Sequence, residues 1–287
     1  MSALPPRPFR ATTPGMRRML FVASVLVFIV GVPLTLLTEH TDVYFAWTIK
    51  SSLTVAFLGA AYWSSGVLEL LAARETLWSR ARIAVPAVLI FTALTLVITL
   101  IHIDKFHFTS TNALTLVGTW VWLLVYALVP IALGVLLVLQ LRALGGDPPR
   151  RALLPVWVRS TLALNAAVML LLGVALLLTP LAAAGLWPWA LTALSGRAVG
   201  AWLVGLGVSA GQAVWENDLQ RTRVMLISSI VFAALQFVAL ARYPGEFAWS
   251  SPAGWVYLLF LADLLAVGVY GWWATQRLQS PVAPATA

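Results

Sequence analysis

Long apolar stretches alternate with short polar breaks along the whole chain. The stretches fall at about 19–38, 46–73, 83–103, 113–141, 158–180, 189–214, 223–241 and 253–275. Runs of this length read as membrane spans. Backbone amides in lipid must find their partners within the chain, and these stretches are too long for barrel strands, so the spans are predicted to be helices. The expected fold is an all-α integral membrane protein with eight transmembrane helices. Arg17 and Arg18 precede an apolar run from Met19 to Leu37 that lacks a small-x-small cleavage site. It exceeds a signal-peptide core and is expected to be a retained first span.

The polar breaks set the orientation. Arg7, Arg10, Arg17 and Arg18 precede the first span, and Arg74, Arg80 and Arg82 follow the second. Arg142, Arg150, Arg151 and Arg159 flank the fourth and fifth, Arg221 and Arg223 separate the sixth and seventh, and Arg277 follows the eighth. The alternate breaks hold only Lys105 and Arg242. The positive-inside rule then predicts both termini in the cytoplasm. Trp47, Trp187, Trp189, Trp249 and Trp255 are expected near the outer boundary, and Trp78, Trp157, Trp215, Trp272 and Trp273 near the inner one.

One segment occurs twice, 141 positions apart and without a gap. Gly59, Ala60, Gly66, Val67, Ala72, Glu75, Arg80 and Arg82 match Gly200, Ala201, Gly207, Val208, Ala213, Glu216, Arg221 and Arg223. The duplication predicts two parallel four-helix repeats, related by a pseudo-twofold axis along the membrane normal. The expected segments are a cytoplasmic N-terminus (1–18), a first repeat (19–141), a cytoplasmic linker (142–157), a second repeat (158–275) and a disordered tail (276–287). Gly59 and Gly66 in span two, and Gly196, Gly200, Gly207 and Gly211 in span six, form small-residue stripes. Such stripes let helices approach closely, so spans two and six are the candidates for a packed centre, set against each other across the axis. The Arg residues of the repeat are expected to serve as cytoplasmic anchors.

Composition changes the picture in three ways. A chain 61% hydrophobic and 10% charged is not an ordinary soluble domain. The net charge of +8 is explained by topology, so nucleic acid is not an expected partner. The absence of cysteine excludes disulfides, thiolate metal sites and a Cys nucleophile. The lipid bilayer is the expected partner, with membrane-protein partners or a homo-oligomer as further candidates. The Arg, Ala and Leu bias points to a bacterial cytoplasmic membrane.

Charges at membrane depth are functional-site candidates. Lys50, Arg197 and Asp263 are the three cases, with Gln236 as a neutral companion. Arg197 and Asp263 each lie roughly 12 Å below the outer boundary, which suggests an ion pair. All four fall in the outer half and predict an outward-facing polar pocket. A second cluster lies at the outer face: Glu39, His40, Asp42, His102, Asp104 and His107. These side chains suit a transition metal or haem, although His102 and His107 are spaced to diverge on a helix. No phosphate-binding Gly loop or HExxH motif is present.

The four-plus-four parallel repeat resembles the architecture of haem A synthases. That family carries paired histidines within its helices, and spans four to eight here contain none, so the resemblance implies architecture and not activity. Three functions are consistent with the residues. The first is a transporter with a polar pocket for a small molecule or ion. The second is a non-catalytic accessory or assembly subunit, and the third a metal- or haem-binding enzyme or sensor.

Overall fold

The computed structural model describes residues 9–279, and over them the chain is all-helical. Its long helices are α1 (Pro14–Leu36), α2 (Ser52–Arg74), α3 (Val85–Ile101), α4 (Ala113–Arg142), α5 (Val156–Leu178), α6 (Ala193–Glu216), α7 (Leu219–Arg242) and α8 (Pro252–Gln279). Among the described residues, seven are long and apolar enough to cross a membrane, while α3 is apolar but has only 17 residues. At 1.5 Å per residue, α3 reaches about 26 Å against a hydrocarbon core of about 30 Å. The expected tail begins too early at 276, because α8 continues to Gln279. The rest of that tail lies outside the described residues.

Polar side chains mark where the helices start. Thr13, Ser51, Asn112, Thr192 and Asp218 each accept a backbone N–H from the first turn that follows. Helix α6 ends on Asn217 in the left-handed conformation (φ 44°), and Asp218 immediately caps α7. That pair of residues turns the chain back within a two-residue connection.

The packing follows a repeating scheme. Helix α1 lies along α2 as α5 lies along α6, and α3 lies against α4 as α7 lies against α8. Between the two sets, α2 packs on α7 as α6 packs on α3. At the first crossing, the Ser64 and Ser228 hydroxyls are 2.8 Å apart and each donates to the other's backbone carbonyl. The positions equivalent by the 141-residue offset are Gly205 and Ala87, which meet at the second crossing without a polar contact.

The glycine stripes have a different target from the one the sequence suggested. Helices α2 and α6 are the most enclosed, and α4 the least. However, the stripes face α1 and α5 and do not pack on each other. A Cβ at Gly59 would come 2.6 Å from Thr35 Oγ1, and one at Gly66 would come 2.6 Å from Phe28. A Cβ at Gly200 would come 2.8 Å from the Gly173 carbonyl, and one at Gly207 would come 2.8 Å from Leu170. Gly196 is looser, at 3.2 Å from Pro180, and Gly211 has ordinary clearance, at 3.9 Å from Ala166. Helices α2 and α6 meet through Tyr62 and Trp202, whose rings lie 5.0 Å apart.

The tryptophans divide as well. Trp249, Trp255, Trp157, Trp215, Trp272 and Trp273 are exposed, as interfacial anchors should be. Trp47, Trp187, Trp189 and Trp78 are buried instead. Trp47 packs with Phe45, Phe106 and Trp122, and Trp187 and Trp189 pack with Phe57 and Tyr257. Both clusters lie at the same end of the bundle, and the second one includes Phe57 of α2.

The glycine contacts predict an asymmetry. Gly200→Ala pushes a methyl into backbone that cannot retreat, and should cost about 1–3 kcal/mol. Gly211→Ala should be neutral. Thermal melts of the two variants in one detergent check the difference.

Candidate functional site

The Arg-rich end of the bundle carries the densest polar chemistry. Glu216 ends α6 with its side chain fully buried. The Arg82 guanidinium grips it bidentately, through Nε to Oε1 and NH2 to Oε2 (2.7 Å). Arg221 NH1 adds a third hydrogen bond at 3.0 Å. Arg82 also donates to Asp147 Oδ2 at 2.6 Å and stacks 5.2 Å over Trp215. Burial disfavours charge on Arg82, but Glu216 and Asp147 outweigh it and hold the guanidinium pKa above its ordinary value.

The second carboxylate of the repeat is paired in the same pattern. Glu75 lies 3.9 Å from its own Arg80 and 3.7 Å from Arg223. Glu216 likewise meets its own Arg221 and the distant Arg82. Each copy of the duplicated segment therefore binds its own first arginine and the other copy's second one. The Arg residues are more than the topological anchors expected from sequence. The two exchanges differ in strength, because Glu75 and Arg223 remain partly exposed and their distance is long. Asp147, in what looked like a plain linker break, bridges toward both Arg82 and Arg221.

At the opposite end, the predicted pocket residues separate. Lys50 lies before α2, not within a span, and is exposed. Arg197 donates Nε to the Leu177 carbonyl at the end of α5 (3.0 Å), and its NH1 lies 2.8 Å from His102 Nε2. Asp263 accepts from Asn165 Nδ2 at 2.6 Å, and no ion pair with Arg197 forms among the described residues. Gln236 is fully buried, donating to the Phe57 carbonyl and accepting from Tyr257. The expected Arg197–Asp263 pair is thus replaced by separate contacts, Arg197 with α5 and His102, and Asp263 with Asn165.

The outer histidine cluster does not converge. His107 is held by the Phe45 carbonyl and Thr48, and His102 by Arg197. Asp104 pairs with Lys105, while Glu39, His40 and Asp42 are exposed. Among the described residues, no group of three or more His, Cys, Asp or Glu side chains could hold a metal ion. Partial burial and the Arg197 charge hold the His102 pKa below its ordinary value. Since a guanidinium can only donate, His102 Nε2 must be the acceptor and the ring neutral.

Sequence reasoning missed the place where the two helix sets meet. A cavity of about 60 Å³ is lined by Ser65 and Leu68 of α2, Phe91 of α3, Ser209 of α6 and Ser228 of α7, among others. None of Lys50, Arg197, Gln236 and Asp263 lines it. Glu69 stands beside it on α2, only 1% exposed, accepting from Ser65 Oγ at 3.0 Å. The signal was visible as a carboxylate inside an apolar run. It is easily passed over because the helix ends five residues later, at Arg74.

These features define a multi-pass helical membrane protein with an interlocked end and an internal cavity. Comparison with protein-family models, with curated proteins and with solved structures finds no match to the chain.

Two outcomes are expected. Glu216→Gln strands two guanidinium groups and should cost about 3–5 kcal/mol, whereas Glu75→Gln, at a looser and wetter pair, should cost about 1 kcal/mol or less. Urea-melt comparison in detergent measures both. Because the folded state disfavours protonated His102, its contribution is complete above about pH 6.5 and is lost as pH falls from there through the lowered folded value. His102→Gln should flatten that acid limb of the stability profile.

Proposed function

We propose that the chain is a transporter-like carrier of eight spans, built from two parallel four-helix repeats with both termini on the cytoplasmic side of a bacterial membrane. Its ligand is a small apolar molecule held where the repeats meet. The observation that carries this reading is the central cavity, whose walls come from α2 and α3 of one repeat and α5, α6, α7 and α8 of the other. A site between repeats is the arrangement in which rocking one against the other moves a ligand's access from side to side.

The size of the cavity fits a closed state. About 60 Å³ is well below the roughly 300–1,000 Å³ of a ligand pocket. Ion pairs close the Arg-rich end. The other end is held by Glu246 of the second repeat, which accepts the Ser52 and Leu53 amides at the start of α2. Trp189 adds a hydrogen bond to Thr54 of the first repeat at 2.9 Å. Met169 lines both the central cavity and a second apolar one between α5 and α8, which gives an oily route from the lipid side. The polar outward pocket expected from sequence is replaced by this apolar one, because its four residues have other partners.

The lack of native cysteine makes the test direct. In native vesicles, Ser209→Cys should react slowly with a membrane-impermeant thiol reagent. Adding Arg82→Gln should raise the rate at least several-fold from the Arg-rich face. If Ser209→Cys stays inert from both faces in both backgrounds, the carrier reading fails. A stoichiometric partner protein on native purification would then favour the accessory-subunit reading.

A further inference from the structure

Glu69 is the one carboxylate buried among the apolar helices without a charged or amide partner among the described residues. Glu75, Asp147 and Glu216 are held by arginines, and Asp263 by Asn165. Glu69 has one donor, the Ser65 hydroxyl, on its Oε1 atom. Its Oε2 atom is buried with no hydrogen-bond partner. Tyr62, Ser65 and Glu69 follow one another at spacings of three and four, so they share a face of α2. On α4, the hydroxyl of Tyr126 is bound to that of Tyr62 at 2.6 Å. The cavity residues of α3, α6 and α7 (Ala87, Val88, Phe91, Gly205, Ser209 and Ser228) bring no charge.

An ionised carboxylate in such a place lacks both water and a counter-ion, and the ordinary outcome is neutralisation. A proton on Oε2 meets that need without any further ligand. Glu69 does not itself line the central cavity, but its one donor does. Ser65 lines the central cavity, and across it the buried Ser209 hydroxyl has no partner of its own. The cavity volume of about 60 Å³ exceeds the roughly 10–15 Å³ needed to admit a water molecule.

We propose that Glu69 is a proton-binding site that exchanges with the central cavity. When water enters, the O–H bond of the carboxyl breaks and its proton passes to a water oxygen. The carboxylate left behind keeps the Ser65 hydrogen bond. Uptake runs the same transfer in reverse. No oxidant, metal or second substrate takes part. The position equivalent to Glu69 in the second repeat is Ala210, so the site is single and breaks the internal symmetry. It does not depend on the cavity carrying a substrate.

Infrared spectroscopy of the full chain in lipid tests this directly. At neutral pH the protein should show the carbonyl stretch of a protonated carboxyl. That band should shift in D2O, fade reversibly in alkaline buffer, vanish in Glu69→Gln and persist in Asp263→Asn. Ser65→Ala should slow the D2O shift several-fold. A Glu69→Gln spectrum identical to wild type in this region would overturn the proposal. So would a band insensitive to both D2O and alkali, since it would mark a permanently sealed acid. The D2O and alkali measurements need only the wild-type chain, so they decide the matter even if Glu69→Gln does not fold.

Discussion

The buried Glu216 carboxylate organises the Arg-rich end of this protein. A charge with no exposure must be fully paired, and Glu216 is paired only when three chain segments arrive together. Arg82 comes from the turn before α3, Arg221 from the first turn of α7, and Asp147 from the connection between α4 and α5 completes the Arg82 guanidinium. If any of these segments moved, a charge would be left bare in a poorly solvated site. The duplicated Glu and Arg residues therefore link the segment after α2 to the segment after α6 through exchange of partners.

That constraint explains the placement of the rest. Arginine exchange fixes one end, and aromatic clusters with the Glu246 cap fix the other. Between these ends, the glycine stripes draw α1 onto α2 and α5 onto α6, so the closest approaches lie within these two helix pairs. The crossings of α2 with α7 and α6 with α3 join these pairs, and the cavity lies beside them.

The sequence was most legible where one residue type has one physical job. Lipid demands helices, so apolar length alone located the long elements, although α2 begins at Ser52 and not at 46, and α3, with 17 residues, is too short to count among the membrane-length helices. The Gly59 and Gly200 stripes were legible as close-approach surfaces, but periodicity gives a face and not the neighbour against it. The same limit separated Arg197 from Asp263. Equal depth and opposite sign are necessary for a pair, but azimuth decides, and azimuth comes from packing. Here Arg197 was turned to the end of α5 and Asp263 to Asn165. The exchange of Glu216 with Arg82 was hidden because the repeat shows each residue beside its own copy, whereas folding pairs it with the other. Glu69 required only that one carboxylate near a helix end be counted as buried.

A double-mutant cycle on Arg82 and Glu216, read from urea unfolding in a single detergent, tests the interlock most directly. Arg82→Gln, Glu216→Gln and the double variant are compared with the parent chain. The account predicts strong coupling: the double variant should be no less stable than the worse single variant, with an interaction free energy of about 2 kcal/mol or more. Losses that simply add, with no coupling between the two positions, would contradict it.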